Sequence, residues 1–241
     1  MENCLEAKGL VKHYRRKCVV DNISVYVKKG EVVGLLGPNG AGKTTTFSMI
    51  LGLIPGDRGH IFLDGEEVTD LPMYLRARRG LCLLPQEPSA FRKLTVADNL
   101  KSIRETQHKP SGGNGECAGV LEDLGLSGLA KSKAYTLSGG ERRRLEIARA
   151  LITRPEYILL DEPFTGIDPL AIQDLQDIIQ SLRNRGLGLL ITDHSVRETL
   201  KICDRAYIID KGRILKEGPP EELIASEDVI SQYLGETITL D

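Results

Sequence analysis

The sequence predicts an α/β domain in which helices flank a mainly parallel sheet, with an antiparallel β part at its start and a helical subdomain inserted later. Three observations carry that prediction. Short apolar runs at 32–36, 157–160, 188–192 and 205–209 alternate with segments of helical periodicity. The first run leads straight into Gly37-Pro38-Asn39-Gly40-Ala41-Gly42-Lys43-Thr44-Thr45, a glycine-rich loop that opens a helix. The second ends in the adjacent carboxylates Asp161 and Glu162, which a parallel sheet delivers to the same edge as that loop.

The elements follow in order. Apolar and polar residues alternate over 5–14 and 18–27, predicting two antiparallel strands joined by the Arg15-Arg16-Lys17 turn. Lys28-Lys29-Gly30 turns the chain into the buried strand at 32–36. Strands are expected at 60–63 and 80–84, with a short helix over 73–79 between them. From 95 to about 131 the pattern is helical, broken by Pro110-Ser111-Gly112-Gly113-Asn114-Gly115. A further helix opens after Ser138-Gly139-Gly140 and runs over 141–152. Helices at 170–185 and 195–202 separate the remaining apolar runs. Gly212 turns into a last strand near 214–216, and helices are expected at 220–225 and 229–234. The chain reads as one domain over 1–241: a core with its antiparallel part at 1–94 and 154–218, a helical subdomain at 95–153, and a C-terminal helical extension at 219–241.

Residue chemistry points at a nucleotide. Gly37, Gly42, Lys43 and Thr44 satisfy the pattern G-x-x-x-x-G-K-[ST], and Gly40 adds to it. The glycines let backbone N–H groups converge on phosphate oxygens, and Lys43 adds a cation toward the β- and γ-phosphates. The Thr44 hydroxyl is placed for Mg²⁺, and the helix aims its positive end at the anion. A glycine-rich turn without a ligand is the plain alternative. Asp161 can hold Mg²⁺ through its water shell, which leaves Glu162 to orient or deprotonate an attacking water. Such a pair can also be a solvated helix cap. His194 follows the strand at 188–192 and so shares the sheet edge with Glu162. A lone histidine is ordinarily a structural hydrogen-bonder, but an imidazole there can donate to the γ-phosphate. His13, His60 and His108 have no such placement. Ser138 and the Gly139 and Gly140 amides, leading into Glu141, make a second helix N-terminus suited to phosphate.

Leu137-Ser138-Gly139-Gly140-Glu141 resembles the signature motif of ATP-binding-cassette (ABC) ATPases, and the resemblance runs in that family's order from about residue 4 to 218. It implies an ABC-type P-loop NTPase with a RecA-like core. It puts Gln86 in the position of the family's Q-loop, on Mg²⁺ and the γ-phosphate, and His194 in that of its switch histidine. Thr165-Gly166-Ile167-Asp168 resembles the D-loop. Tyr14 resembles the adenine-stacking aromatic, although an aromatic at a strand end is ordinarily core packing. The resemblance further implies a homodimer packed head to tail, with ATP sandwiched between one copy's phosphate loop and the other's Ser138, Gly139, Gly140 and Glu141.

Composition sets limits. With 241 residues, 41% of them hydrophobic, the chain can bury a full core. A net charge of −2 offers no global basic face for nucleic acid. No apolar run approaches the roughly 18 residues of a membrane span, so direct membrane insertion is not expected. Five cysteines without C-x-x-C spacing fit a reduced cytoplasm and small core positions better than disulfides or zinc.

Within the ABC family the chain is most similar to the ATPases that power lipopolysaccharide export from the inner membrane. That likeness rests on Ala77-Arg78-Arg79-Gly80, Leu84-Pro85-Gln86-Glu87, Phe91-Arg92-Lys93-Leu94, Ser138 through Arg144, Ile191-Thr192-Asp193-His194 and Tyr233-Leu234-Gly235-Glu236. The glycine-rich 111–115 connection and Thr165 depart from the pattern. The likeness implies a peripheral place on the cytoplasmic face of the inner membrane, beneath two transmembrane permease subunits. Phe91 and Arg92 are then candidates for the socket that receives a short helix of those subunits, the alternative being an ordinary surface loop. A solute-importer ATPase, such as that of a branched-chain amino-acid system, and a non-transport ABC ATPase remain as other readings. The latter usually has two cassettes or long coiled coils, and this chain shows no sustained heptads.

Overall fold

The computed structural model describes residues 3–107, 115–166 and 168–231. The chain starts with β1 (Cys4–Tyr14) and β2 (Lys17–Lys28), antiparallel and joined by a turn in which Arg15 takes a positive φ of 55°. Then come β3 (Val32–Leu36), α1 (Lys43–Leu51), β4 (Arg58–Leu63), β5 (Glu66–Glu67), α2 (Met73–Arg78) and β6 (Leu81–Leu84). Helices α3 (Val96–Glu105), α4 (Gly115–Asp123) and α5 (Gly139–Ile152) follow. The last third alternates β7 (Tyr157–Asp161), α6 (Pro169–Asn184), β8 (Gly188–Thr192), α7 (Val196–Leu200), β9 (Arg205–Asp210) and β10 (Arg213–Gly218). Two short helices, α8 (Pro220–Ile224) and α9 (Glu227–Val229), end the described chain.

Two sheets result, one of order β2-β1-β4-β5 and one of order β10-β9-β3-β8-β7-β6. In the larger sheet β9, β3, β8, β7 and β6 are parallel, and only β10 runs antiparallel, at the edge. Its central strands are buried on both faces, which is why they read as unbroken apolar runs. Tyr157 and Leu159 of β7 and Leu190 of β8 face the smaller sheet and α1, together with Val33, Leu35 and Phe47. The alternate residues Ile158, Leu160, Leu189 and Ile191 face α3, α5 and α6, through Leu100, Leu145 and Ile179. Because side chains alternate along a strand, one sheet serves two cores.

Most expected elements sit within a residue or two of the observed ones. The exceptions have reasons. β5 pairs with β4 through the Asp64-Gly65 turn, both residues at positive φ, and its two exposed glutamates carry no apolar alternation. The helix expected at 229–234 begins earlier, at Glu227. The 110–114 break, His108, Ile167 and the tail from 232, including Tyr233 to Glu236, lie outside the described residues. Of the cysteines, Cys4 and Cys203 are buried core residues and Cys18, Cys82 and Cys117 are half-buried, all as free thiols. Among the described residues no helix is long and apolar enough to cross a membrane.

Candidate active site

Parallel strands end on one side. β3 runs into Gly37, β6 into Pro85 and Gln86, β7 into Glu162 and β8 into Asp193 and His194, so residues far apart in sequence share the carboxyl edge of the sheet. The register fixes the alignment, since Asp161 lies opposite Thr192.

The phosphate loop turns from β3 to α1 through residues 37–42. A Cβ at Gly37 would overlap the Ile209 carbonyl oxygen, and one at Gly42, where φ is 109°, would lie 2.6 Å from the Val19 carbonyl oxygen. At these two positions the loop can therefore pass this close to β9 and β2 only as glycine. Lys43 is 7% exposed, and its Nζ donates to the Gly37 and Pro38 carbonyls at 2.6 and 3.1 Å. Burial lowers its pKa, and the negative charges of Glu162, Asp193 and Asp161 act against that shift. An ammonium held this way gains from an anion placed in the loop, which is the fit a triphosphate requires. Val19, Asn39, Gly40, Gly42, Lys43, Thr44, Thr45 and Glu162 line one cavity of about 130 Å³. Pro38 and Ala41 complete the turn that shapes it, the Ala41 amide donating to the Pro38 carbonyl at 3.2 Å.

Across from the loop, Asp161 accepts from the Thr192 hydroxyl at 2.8 Å, which holds the carboxylate at the strand end. Glu162 has left the strand with a positive φ of 44°, pinned by its amide on the Thr192 carbonyl at 2.7 Å. A non-glycine residue there is strained, as is common for a side chain aimed at a site. Its Oε2 accepts from Gln86 Nε2 at 2.9 Å and from the Thr165 hydroxyl at 3.2 Å, and lies 3.5 Å from His194 Nδ1. Gln86, Glu162 and His194 are thus one contact group. The oxygen donors Thr44 and Asp161 suit a hard cation shared with phosphate oxygens.

Tyr14 ends β1 with its ring 49% exposed and the Lys12 ammonium 5.9 Å from the ring centre, so the core does not claim it. Ser138 caps α5, which begins at Gly139 rather than Glu141. Ser138 Oγ accepts from the Glu141 amide at 3.3 Å, and the Glu141 carboxylate accepts from the Ser138 amide at 2.8 Å. The Ser138 amide, together with the Ser138 hydroxyl donating to the same carboxylate at 2.8 Å, draws the Glu141 carboxyl below its ordinary pKa. No residue of this motif lines the cavity of its own phosphate loop. Gly139 lines an adjoining cleft with Gln86, Arg142, Arg143 and Glu162. Phe91 is 49% exposed beneath the Arg149 guanidinium, 4.9 Å from the ring centre, and neighbouring Arg92 accepts from the Tyr135 amide at 3.1 Å through its carbonyl.

Residues 20–165 match the model of the ABC transporter family. The chain belongs to that family. It is 54% identical to a lipopolysaccharide export system ATP-binding protein of Acidithiobacillus ferridurans, over 98% of both chains. It is 49% identical to the protein of that description from Escherichia coli K12, over 98% of this chain and 99% of that one. Among solved structures, it superposes on an ATP-binding cassette of an ABC transporter in its ADP conformation with a TM-score of 0.88. The two are 28% identical, over 98% of this chain and all of the other. A nucleotide-free ABC cassette gives 0.81 at 29% identity, covering 98% of this chain and 96% of that one. The ABC fold, ATP binding and an ATPase coupled to transport follow for this chain.

Sequence reading passed over three residues of the site. Asp193 is fully buried, and its carboxylate accepts from the Phe164 and Ser195 amides at 2.9 and 2.8 Å, tying the β7 and β8 ends together. Its position beside His194 was the only clue. Val19 walls the phosphate cavity, and nothing in an alternating strand marks that role. Glu146, buried in α5, reads as an ordinary polar helix residue.

Proposed function

We propose that this chain is the ATP-hydrolysing subunit of a transporter that extracts lipopolysaccharide from the inner membrane, acting from its cytoplasmic face through two transmembrane partner subunits. The supporting observation is the 54% identity to a lipopolysaccharide export ATP-binding protein across nearly the whole of both chains. In this reading residues 1–94 and 154–218 are the RecA-like core with its β part, 95–153 the helical subdomain and 219–241 an extension.

The 37–45 loop cradles the phosphates, and adenine stacks on Tyr14. Thr44, Asp161 and Gln86 would hold Mg²⁺, which would supply charge neutralisation at the phosphates. Glu162 orients the attacking water and takes its proton, while His194 donates toward the γ-phosphate. Lys43 stays on the β- and γ-phosphates. Ser138, Gly139, Gly140 and Glu141 close over the nucleotide of a second copy in a head-to-tail homodimer. That none of these four residues lines the cavity of this chain's own phosphate loop supports that arrangement. Phe91 and Arg92 dock the membrane subunits, an exposed aromatic and a cation being suited to an amphipathic helix.

The decisive experiment reconstitutes the chain with its membrane subunits in proteoliposomes loaded with lipopolysaccharide. ATP-driven release with wild type and none with Glu162→Gln is expected. ATP turnover with amino-acid uptake and no lipopolysaccharide release would overturn the cargo in favour of an importer. For the dimer, mixing a Lys43→Ala copy with a Ser138→Arg copy puts both lesions on one composite site. Turnover from the other site is then expected, where either parental homodimer has none.

A further inference from the structure

The segment between β6 and α3 has no secondary structure over 85–91, yet its backbone polar groups are met by side chains of two helices, α5 and α3. Arg143, Glu146 and Arg149 are spaced by three residues, which puts them on one face of α5. Arg143 Nη1 donates to the Pro85 carbonyl at 2.9 Å and to Glu146 Oε2 at 3.1 Å. Glu146 Oε1 accepts from the Ser89 amide at 2.9 Å. Arg149 donates to the Ser89 carbonyl and, at 3.1 Å, to its hydroxyl, while its guanidinium covers the Phe91 ring. From the other side, buried Asn99 accepts from the Phe91 amide and donates to its carbonyl.

Glu146 is the hinge of this ladder. At 4% exposure its carboxylate is out of solvent, with one oxygen on the loop backbone and the other on the arginine that grips the residue before Gln86. Burial works against the Arg143 charge, and the Glu146 carboxylate is the main influence opposing that. Neither partner holds its place without the other. The helix that carries them is capped by Ser138, so the signature end and the loop are joined through the same element.

We infer that Glu146 is a positioning residue that sets the register of 85–91, and through it holds Gln86 against Glu162 at one end and Phe91 in its docking position at the other. The docking half rests on the proposed function, whereas the Gln86 half rests on ATPase chemistry alone. Loss of Glu146 therefore lowers turnover and membrane-subunit binding together, although it touches neither nucleotide nor partner.

The test is a cycle of Glu146→Gln, Arg143→Gln and the double variant. Each single change leaves a buried donor or charge without its partner and is expected to lower kcat about tenfold with KM for ATP within about twofold. Exchange of the Ser89 amide should accelerate, and pull-down of the membrane subunits should weaken in parallel. The double variant should recover toward wild type in all three, because no buried charge is left without its partner and the two side-chain amides can pair with each other in place of the ion pair. This also separates register from stability, since the neutral pair folds even where a single variant does not. Losses that multiply in the double variant, or a slowed kcat with Ser89 exchange unchanged, would overturn the inference. If wild type captured no membrane subunits, the docking reading would fail, and the kcat and exchange results would still decide the role of Glu146.

Discussion

The phosphate loop and the 85–91 segment both leave a parallel strand at the same sheet edge, yet they are held in opposite ways. The loop is held mainly by its own hydrogen bonds, with Lys43 folded onto carbonyls 5 and 6 residues away, and Gly37 and Gly42 admit no Cβ where they pass Ile209 and Val19. The segment is held by side chains of two later helices, Asn99 of α3 and Arg143, Glu146 and Arg149 of α5, the α5 contacts lying 57 to 60 residues further along. A loop held by its near neighbours needs no distant element to keep its shape. One held from a distant helix is tied to that helix, and this suits the coupling role proposed for the segment.

The comparison can be tested, beginning at the phosphate edge. Glu162→Gln should slow single-turnover hydrolysis about a thousandfold while ATP binding persists, since the amide keeps the shape and loses the base. Turnover within tenfold of wild type would remove Glu162 from the chemistry. Gly42→Ala should weaken ATP affinity about tenfold to a hundredfold by forcing a Cβ against the Val19 carbonyl at a φ of 109°. Equilibrium nucleotide binding measures it, and an unaltered affinity would mean that the loop can yield to a Cβ at Gly42.

The side-chain-held segment should respond differently. Phe91→Ala or Arg92→Glu is expected to reduce membrane-subunit pull-down about tenfold, with ATP turnover of the isolated chain retained. Equal loss of both would show that the two ends of the segment cannot be separated. The smallest effect concerns Glu141. Its carboxyl lies below the ordinary value of 4.5 because of the Ser138 amide and hydroxyl, so its contribution to stability is present above 4.5. That contribution is lost as pH falls through the lowered value. Acid unfolding of Glu141→Gln should accordingly lack part of the wild-type dependence in that window.

Much of this was legible before any coordinates. The strand at 157–161 is apolar on both faces because it serves two cores, and a double-sided strand announces a parallel sheet. Lys43, Thr44, Asp161 and Glu162 stand in local patterns whose spacing is itself the geometry. Glu146 and Asp193 were not legible, since a buried carboxylate is recognisable only by the distant amides it meets. β5 was missed because two exposed glutamates show no apolar alternation, although the Asp64-Gly65 turn was available as a signal.

The sequence by itself determined the α/β class, the phosphate loop, the acidic strand end and the family, because each is written in residues close together along the chain. Only the tertiary structure decided the strand order, the contacts among Gln86, Glu162 and His194, the place of Ser138–Glu141 outside the cavity of its own loop, and the hold of α5 on 85–91. Those depend on which strands lie side by side and which helix face turns inward, and these choices are made by burial across the whole molecule.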